Sequence, residues 1–200
     1  MNILYLHGFR SSPQSMKARL MAAHFAQTEH RFVCPQLPAS PALAMELACE
    51  LIEDRGDAAK DWALIGSSLG GFYATFLAER YGCRAALLNP AVHPDVDLGA
   101  HIGEGFAYDG ETPFEFKPEY LEQLVALKVI AITKPQRYFL FAATGDEVLD
   151  WTQMRDLYAE APQHIIEGSD HAISEFADYV DEVASFCTEG LVPSPLAGEG

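Results

Sequence analysis

Positive charge is what this sequence has least of: 13 Lys and Arg stand against 29 Asp and Glu in 200 residues, a formal net charge of −16. A surface this acidic repels nucleic-acid phosphates and anionic lipid headgroups, which excludes polyanions as partners. Cysteine is scarce too. Cys34, Cys49, Cys83 and Cys187 are scattered with no C-x-x-C pair, so the spacing of a zinc ribbon or a dithiol redox motif is missing. Reduced core thiols are the expectation, with Cys83 in a buried strand. No stretch approaches the roughly 18 uncharged apolar residues of a membrane span. The first residues run into a strand-like segment instead of a basic region followed by a long apolar one. The expectation is a cytoplasmic, non-secreted protein. No internal repeat is found, and no G-x-G-x-x-G loop follows the first strand, which argues against a dinucleotide-binding enzyme.

What is present is a hydrophobic content of 49%, enough for one domain with a sizeable core. We place that domain at residues 1–188 and read the Pro-, Gly- and Ser-rich stretch 189–200 as a disordered tail. Asn2 to Leu6 is a short apolar strand, and Ser12-Pro13 reads as an N-cap with proline at the first helical position. A helix is expected over Pro13 to Thr28 with Met16, Leu20, Ala23 and Phe25 inward. Arg31 to Pro35 is a second strand, followed by a helix whose Leu43, Leu47, Leu51 and Ile52 recur at helical spacing. Trp62 to Gly66 is a third strand, Leu69 to Tyr81 a helix and Arg84 to Asn89 a fourth strand. Runs such as Ala85-Ala86-Leu87-Leu88 lack alternation, as strands covered on both faces do.

Between about residues 91 and 136 the rhythm breaks. Gly99, Gly103, Gly105 and Gly110 punctuate a polar, aromatic-containing stretch that ends in a helix over Glu119 to Leu127. Long connections inside compact domains are uncommon unless they serve as lids or binding loops, so a lid-like insertion is expected. His93 and His101 lie in it and could touch substrate. Order resumes with a strand over Arg137 to Ala143, a helix over Trp151 to Ala159, a sixth short strand at His164 to Ile166 and a last helix over Ala172 to Cys187. Ile173, Phe176, Val180, Val183 and Ala184 would face inward there. Alternating strands and helices predict an α/β fold, a three-layer sandwich around a mostly parallel six-stranded sheet.

Gly66-Ser67-Ser68-Leu69-Gly70 matches Gly-x-Ser-x-Gly, and its position between a strand and a helix marks a nucleophile elbow. Ser68 is the candidate nucleophile, with Gly66 and Gly70 the small neighbours that let strand and helix approach. A serine hydroxyl needs a general base, and the base needs a carboxylate to hold its tautomer. Those partners belong on loops after later strands. Asp146 follows the fifth strand and His171 the sixth, giving the order Ser, Asp, His of the α/β-hydrolase arrangement. Asp150, four residues further on, is the reserve acid, whereas Asp170 is next to His171 and faces elsewhere. If the first strand lies beside the third, the loop His7-Gly8-Phe9 meets the elbow. The backbone N–H groups of Phe9 and Leu69 then form the oxyanion site. His7 reads as a brace for that loop rather than a second base. Arg10 is either a contact for a substrate carboxylate or a solvated cation.

Several blocks together resemble the bacterial YqiA/YcfP-type esterase family: Leu4 to Phe9 with Ser11-Ser12-Pro13, Pro35 to Pro38, Gly66 to Gly71, Asn89 to Val92, Thr144 to Asp150, and Ile166-Glu167-Gly168 through His171-Ala172. The resemblance spans residues 4 to about 187. It implies a cofactor-free esterase acting on acyl esters or thioesters, with Ser68, Asp146 and His171 as its triad. We expect small or medium acyl esters as substrates and no metal. Ser169-Asp170 departs from it by being more acidic than expected. A thioesterase for acyl-CoA or acylated protein would use the same triad. The acidic surface argues against CoA, although Arg10, Lys17 and Arg19 cluster near the site. A noncatalytic binding protein on the same scaffold would require a broken triad, and none is seen.

Overall fold

The computed structural model describes residues 1–190, apart from the side chains of residues 58 and 59. The expected tail lies outside them from residue 191 onward. In chain order the elements are β1 (Asn2–Leu6), α1 (Met16–Phe25), β2 (Arg31–Val33), α2 (Pro41–Glu53), α3 (Ala58–Asp61), β3 (Trp62–Ser67), α4 (Leu69–Tyr81), β4 (Arg84–Leu88), α5 (Pro94–Asp97), β5 (Gly103–Phe106), β6 (Pro113–Phe116), α6 (Glu119–Ala126), β7 (Tyr138–Ala143), α7 (Trp151–Leu157), β8 (Gln163–Ile166) and α8 (Val180–Glu189). Six strands form one sheet in the order β2-β1-β3-β4-β7-β8, with every neighbouring pair parallel.

Side-chain alternation along the strands divides the core in two. Leu4, Leu6, Leu64, Leu87 and Leu140 face α2, α4, α6 and α7, while Ile3, Tyr5, Ile65, Leu88 and Phe139 face α1 and α8. The result is an α/β-hydrolase-type sandwich of three layers. Strand order reverses beside β1: the chain steps outward to β2, then returns to place β3 on the other side, with Leu6 opposite Gly66. Such a switch point leaves a crevice at the carboxyl ends of the two strands, because the following connections leave on opposite faces.

Four local expectations need correction. The first helix begins at Met16, not Pro13, because Ser12 closes a turn: its carbonyl accepts from the Ser15 N–H (3.1 Å) and its Oγ from the Gln14 N–H (3.1 Å). Its buried stripe is Lys17, Ala18, Met21 and Phe25, one position out of phase with the expected Met16, Leu20 and Ala23. In α2 the buried set is Pro41, Ala44, Met45, Ala48 and Ile52, and Leu43 is 54% exposed. The small alanines let α2 lie close to the sheet, so the larger leucines are turned toward the edge and solvent. The last helix starts at Val180. Ahead of it Ile173 sits at φ 48° and Phe176–Tyr179 forms a 3-10 turn, while Asp170 ties down the entry by accepting from the N–H and Oγ of Ser174 (2.9 and 2.6 Å).

Between β4 and β7 the chain forms α5, an antiparallel hairpin of β5 and β6, and α6. The hairpin is absent from the sequence reading because Gly103 and Gly105 weaken the strand pattern. Its partner is the loop after β1. The Phe9 ring meets Phe114 and Phe116 edge-on at 5.1 and 5.2 Å, and Arg10 donates from Nε to the Phe106 carbonyl. Among the described residues no helix is long and apolar enough to cross a membrane.

Candidate active site

Ser68 stands at the junction of β3 and α4 with φ 55° and ψ −122°, a strained conformation for a residue with a side chain. Backbone hydrogen bonds hold it. Its N–H donates to Leu88 (3.0 Å), and its carbonyl accepts from Gly71 (2.8 Å) and Ala91 (3.0 Å), so the elbow is stitched to the end of β4. Sterics require the glycines around it. A β-carbon on Gly70 would lie 1.9 Å from the Leu6 carbonyl oxygen, and one on Gly66 would lie 2.3 Å from that of Gly70. Gly71 has the same role, which the sequence reading did not assign: its β-carbon would meet Pro90 Cβ at 2.6 Å. Ser67, the last residue of β3, is buried and bonded to the Tyr5 hydroxyl.

Asp146 and His171 come together from the loops after β7 and β8. His171 Nδ1 lies 2.8 Å from Asp146 Oδ2. The other carboxylate oxygen, Oδ1, accepts from the N–H groups of Val148 (2.9 Å) and Leu149 (2.8 Å), and the Asp146 side chain is fully buried. A carboxylate only accepts, so the Nδ1 proton points at Asp146 and Nε2 is left as a lone-pair acceptor. Gly145 permits the contact between the two loops: its β-carbon would sit 2.7 Å from the Ser169 carbonyl oxygen. Asp150 does not join them. It caps α7, accepting from the Thr152 N–H and Oγ1 (2.9 and 2.6 Å).

Two residues hold the His171 loop, a role that the sequence assigned to neither. Asn89, fully buried at φ 43°, donates from Nδ2 to the carbonyls of Asp170 and His171 (3.1 Å each) while its Oδ1 accepts from the Ala143 N–H (2.8 Å). It links the ends of β4 and β7 to the loop after β8. Lys17 donates from Nζ to the carbonyls of Ala172 (2.6 Å) and His171 (3.4 Å). Burial pushes this ammonium down to about 8, against the pull of Asp170 and Asp146. The signal for Asn89 was its place at a strand's carboxyl end, and that for Lys17 its position four residues before Met21 on the buried stripe of α1.

Ser68 and His171 line one cavity of about 560 Å³, together with Gly8, Phe9 and Leu69. Gly8 lets the loop after β1 lie against the elbow: its β-carbon would be 3.2 Å from Ser68 Cβ. Among the described residues no protein acceptor meets the N–H of Phe9 or of Leu69. His7 braces this loop from behind. Its Nδ1 lies 3.0 Å from the Gly8 carbonyl oxygen and its Nε2 accepts from the Leu37 N–H (3.0 Å), and burial holds the imidazole below its usual range. Leu98, His101 and Tyr108 bring the segment between β4 and β7 to the cavity wall. His93 and Arg19 are not in the lining, so the expected cluster of three cations reduces to Arg10 and Lys17. The thiols of Cys34, Cys83 and Cys187 are pushed up to about 12 by burial and offer no competing nucleophile. Among the described residues no group of three or more His, Cys, Asp or Glu side chains is arranged to hold a metal ion.

The chain is similar in fold to several solved structures. Alpha/beta hydrolase domain-containing protein 10 from mouse is 14% identical at a TM-score of 0.70, over 92% of this chain and 89% of that one. Est1E from Butyrivibrio proteoclasticus, solved with ferulic acid bound, is 12% identical at a TM-score of 0.70, over 93% and 88%. The esterase domain of a Rhodothermus marinus protein is 20% identical at a TM-score of 0.64, over 92% and 84%. A sequence model described as an uncharacterised protein family, UPF0227, matches residues 2–188.

Proposed function

Since the chain belongs to the uncharacterised protein family UPF0227 and has an α/β-hydrolase fold, we propose that it is a serine carboxylic-ester hydrolase working through Ser68, His171 and Asp146. The observation that carries this reading is the 2.8 Å contact between His171 Nδ1 and Asp146 Oδ2 beside a cavity that His171 shares with Ser68. In the proposed reaction Ser68 Oγ attacks the acyl carbonyl as His171 Nε2 takes its proton. The N–H groups of Phe9 and Leu69 receive the developing oxyanion, each worth about 10²–10³ in rate at such a site. His171 then returns the proton to the leaving alcohol, and a water activated by the same nitrogen clears the acyl-enzyme. Asp146 stays ionised throughout and stabilises the imidazolium.

The segment over residues 91–136 acts in this reading as a lid-like insertion within a single domain spanning 1–188. Its support is the contribution of Leu98, His101 and Tyr108 to the cavity. A simple ester suits the cavity better than acyl-CoA. CoA phosphates need several free cations, whereas Arg10 is bonded to the hairpin and the lining holds one other Lys or Arg, Lys17. Replacing Ser68 by alanine should lower turnover of chromogenic acyl esters by at least about 10³-fold and abolish labelling by a fluorophosphonate. Undiminished turnover would sink the proposal.

A further inference from the structure

Lys17 is placed where a structural lysine is costly. It is 8% exposed and lines the cavity, yet the ion pairs of the described residues do not include it. Its partners are the neutral carbonyls of Ala172 and His171, which occupy two of three N–H donors. Asp170 and Asp146 pull on this ammonium only from beyond ion-pair distance, so its third N–H is left for an anion that reaches it. Lys17 lines the cavity, so an anion that forms part of a ligand bound there can reach it.

The surroundings give the ligand a direction. Tyr5, Ser15 and Ser67 add polar groups to the lining that holds Lys17, and Leu69, Leu98 and Leu149 add apolar ones. Lys17 is bonded to the backbone of His171 itself and so stands on the side of the base. That is the side on which a leaving alcohol collects its proton. Glu147, also in the lining, is occupied by the His171 N–H (3.0 Å).

We propose that Lys17 is a specificity-determining residue that selects esters whose leaving alcohol carries a carboxylate. This rests on the serine-esterase reading and adds the substrate class to it. The ammonium would hold the substrate carboxylate by its third N–H, setting the scissile bond between Ser68 and His171. The general field of the protein works against such a preference, because a net charge of −16 repels anions. A preference for the charged ester therefore requires a local cation.

The test compares esters of equal size that differ in charge. On the leaving-group side the pair is 2-acetoxyacetate and 2-acetoxyacetamide, and on the acyl side monoethyl succinate and ethyl succinamate. In the intact protein, kcat/KM should favour 2-acetoxyacetate over its amide by at least fivefold. Lys17→Met and Lys17→Gln should each lower that ratio at least fivefold, whatever they do to both rates through the loop they brace. A smaller ratio in the unaltered protein, a preference confined to the acyl-side pair, or an equal fall in both rates in the variants overturns the proposal. If neither variant folds, the ratio in the unaltered protein decides. If none of the four esters is hydrolysed while chromogenic acyl esters are, the proposal is overturned; if those are not hydrolysed either, the esterase reading fails, and the anion site is then judged by calorimetry. Glycolate should bind at least fivefold more tightly than glycolamide, and equal affinity overturns it.

Discussion

Asp146 uses both carboxylate oxygens for different purposes. Oδ1 fixes its own loop through the N–H groups of Val148 and Leu149, and Oδ2 meets His171. Asp146→Asn must therefore direct an amide NH₂ either at two backbone donors or at the imidazole. In the first case the loop loses its tie, and in the second His171 is driven to the wrong tautomer. Turnover should fall about 10³–10⁴-fold with little change in KM. A loss below tenfold in steady-state kinetics on a chromogenic ester would remove Asp146 from the mechanism. At this scale the sequence was most legible at the carboxyl ends of strands, where Ser68 and the loops carrying Asp146 and His171 lie. Asn89 was given no role and Lys17 was read only as one of three cations near the site, because their work is done on backbone carbonyls distant in the chain, 81 and 154 residues away. A polar residue bonded to backbone leaves no complementary side chain elsewhere for a sequence pattern to reveal.

Helix phase and helix ends carry the differences at the level of elements. In α1 the inward stripe includes Lys17, and a cation at a buried position shifts the apparent hydrophobic face by one residue. Strands suffered less, because a strand covered on both faces is a run of apolar residues whatever its register. The hairpin of β5 and β6 was invisible for the opposite reason. Its inner face is supplied by Phe9 from another part of the chain, and its own strands are four residues each. Arg10 completes that attachment, donating to Phe106, accepting at its carbonyl from the Tyr108 N–H (3.0 Å) and lying 5.8 Å over the Tyr108 ring. Replacing Arg10 by methionine removes a charge-assisted hydrogen bond and a cation–π contact, together about 1–2 kcal/mol at an exposed site. Amide exchange over residues 103–116 should accelerate roughly 5- to 30-fold while β1, β3 and β7 exchange unchanged. Equal acceleration in the central strands would mean that Arg10 supports the whole fold and not the hairpin.

The whole molecule responds to acid through two opposed effects. Protonating surface carboxylates reduces the repulsion implied by a net charge of −16, which favours the compact state and is weakened by salt. His7 acts the other way. It is 4% exposed, its Nε2 is occupied as an acceptor by Leu37, and burial depresses its proton affinity in the folded protein. The unfolded chain therefore binds a proton at this position before the folded one does. Stability from this residue is fully present above about pH 6.5, the ordinary histidine value, and is lost as pH falls through the lower folded value. The slope is at most about 1.4 kcal/mol per pH unit, as one proton is involved. Comparison with His7→Gln isolates this term, because the surface carboxylates and the other histidines are common to both proteins. The glutamine carbonyl can still accept from Leu37, so the variant should fold with a deficit of about 1–2 kcal/mol near pH 7.5. In urea titrations at 0.3 M salt that deficit should stay constant between pH 7 and 8 and shrink steadily from pH 6.5 downward. A deficit that grows on acidification would mean that His7 is protonated in the folded protein. The loop carrying Phe9 would then be braced by a charge instead of by a neutral ring.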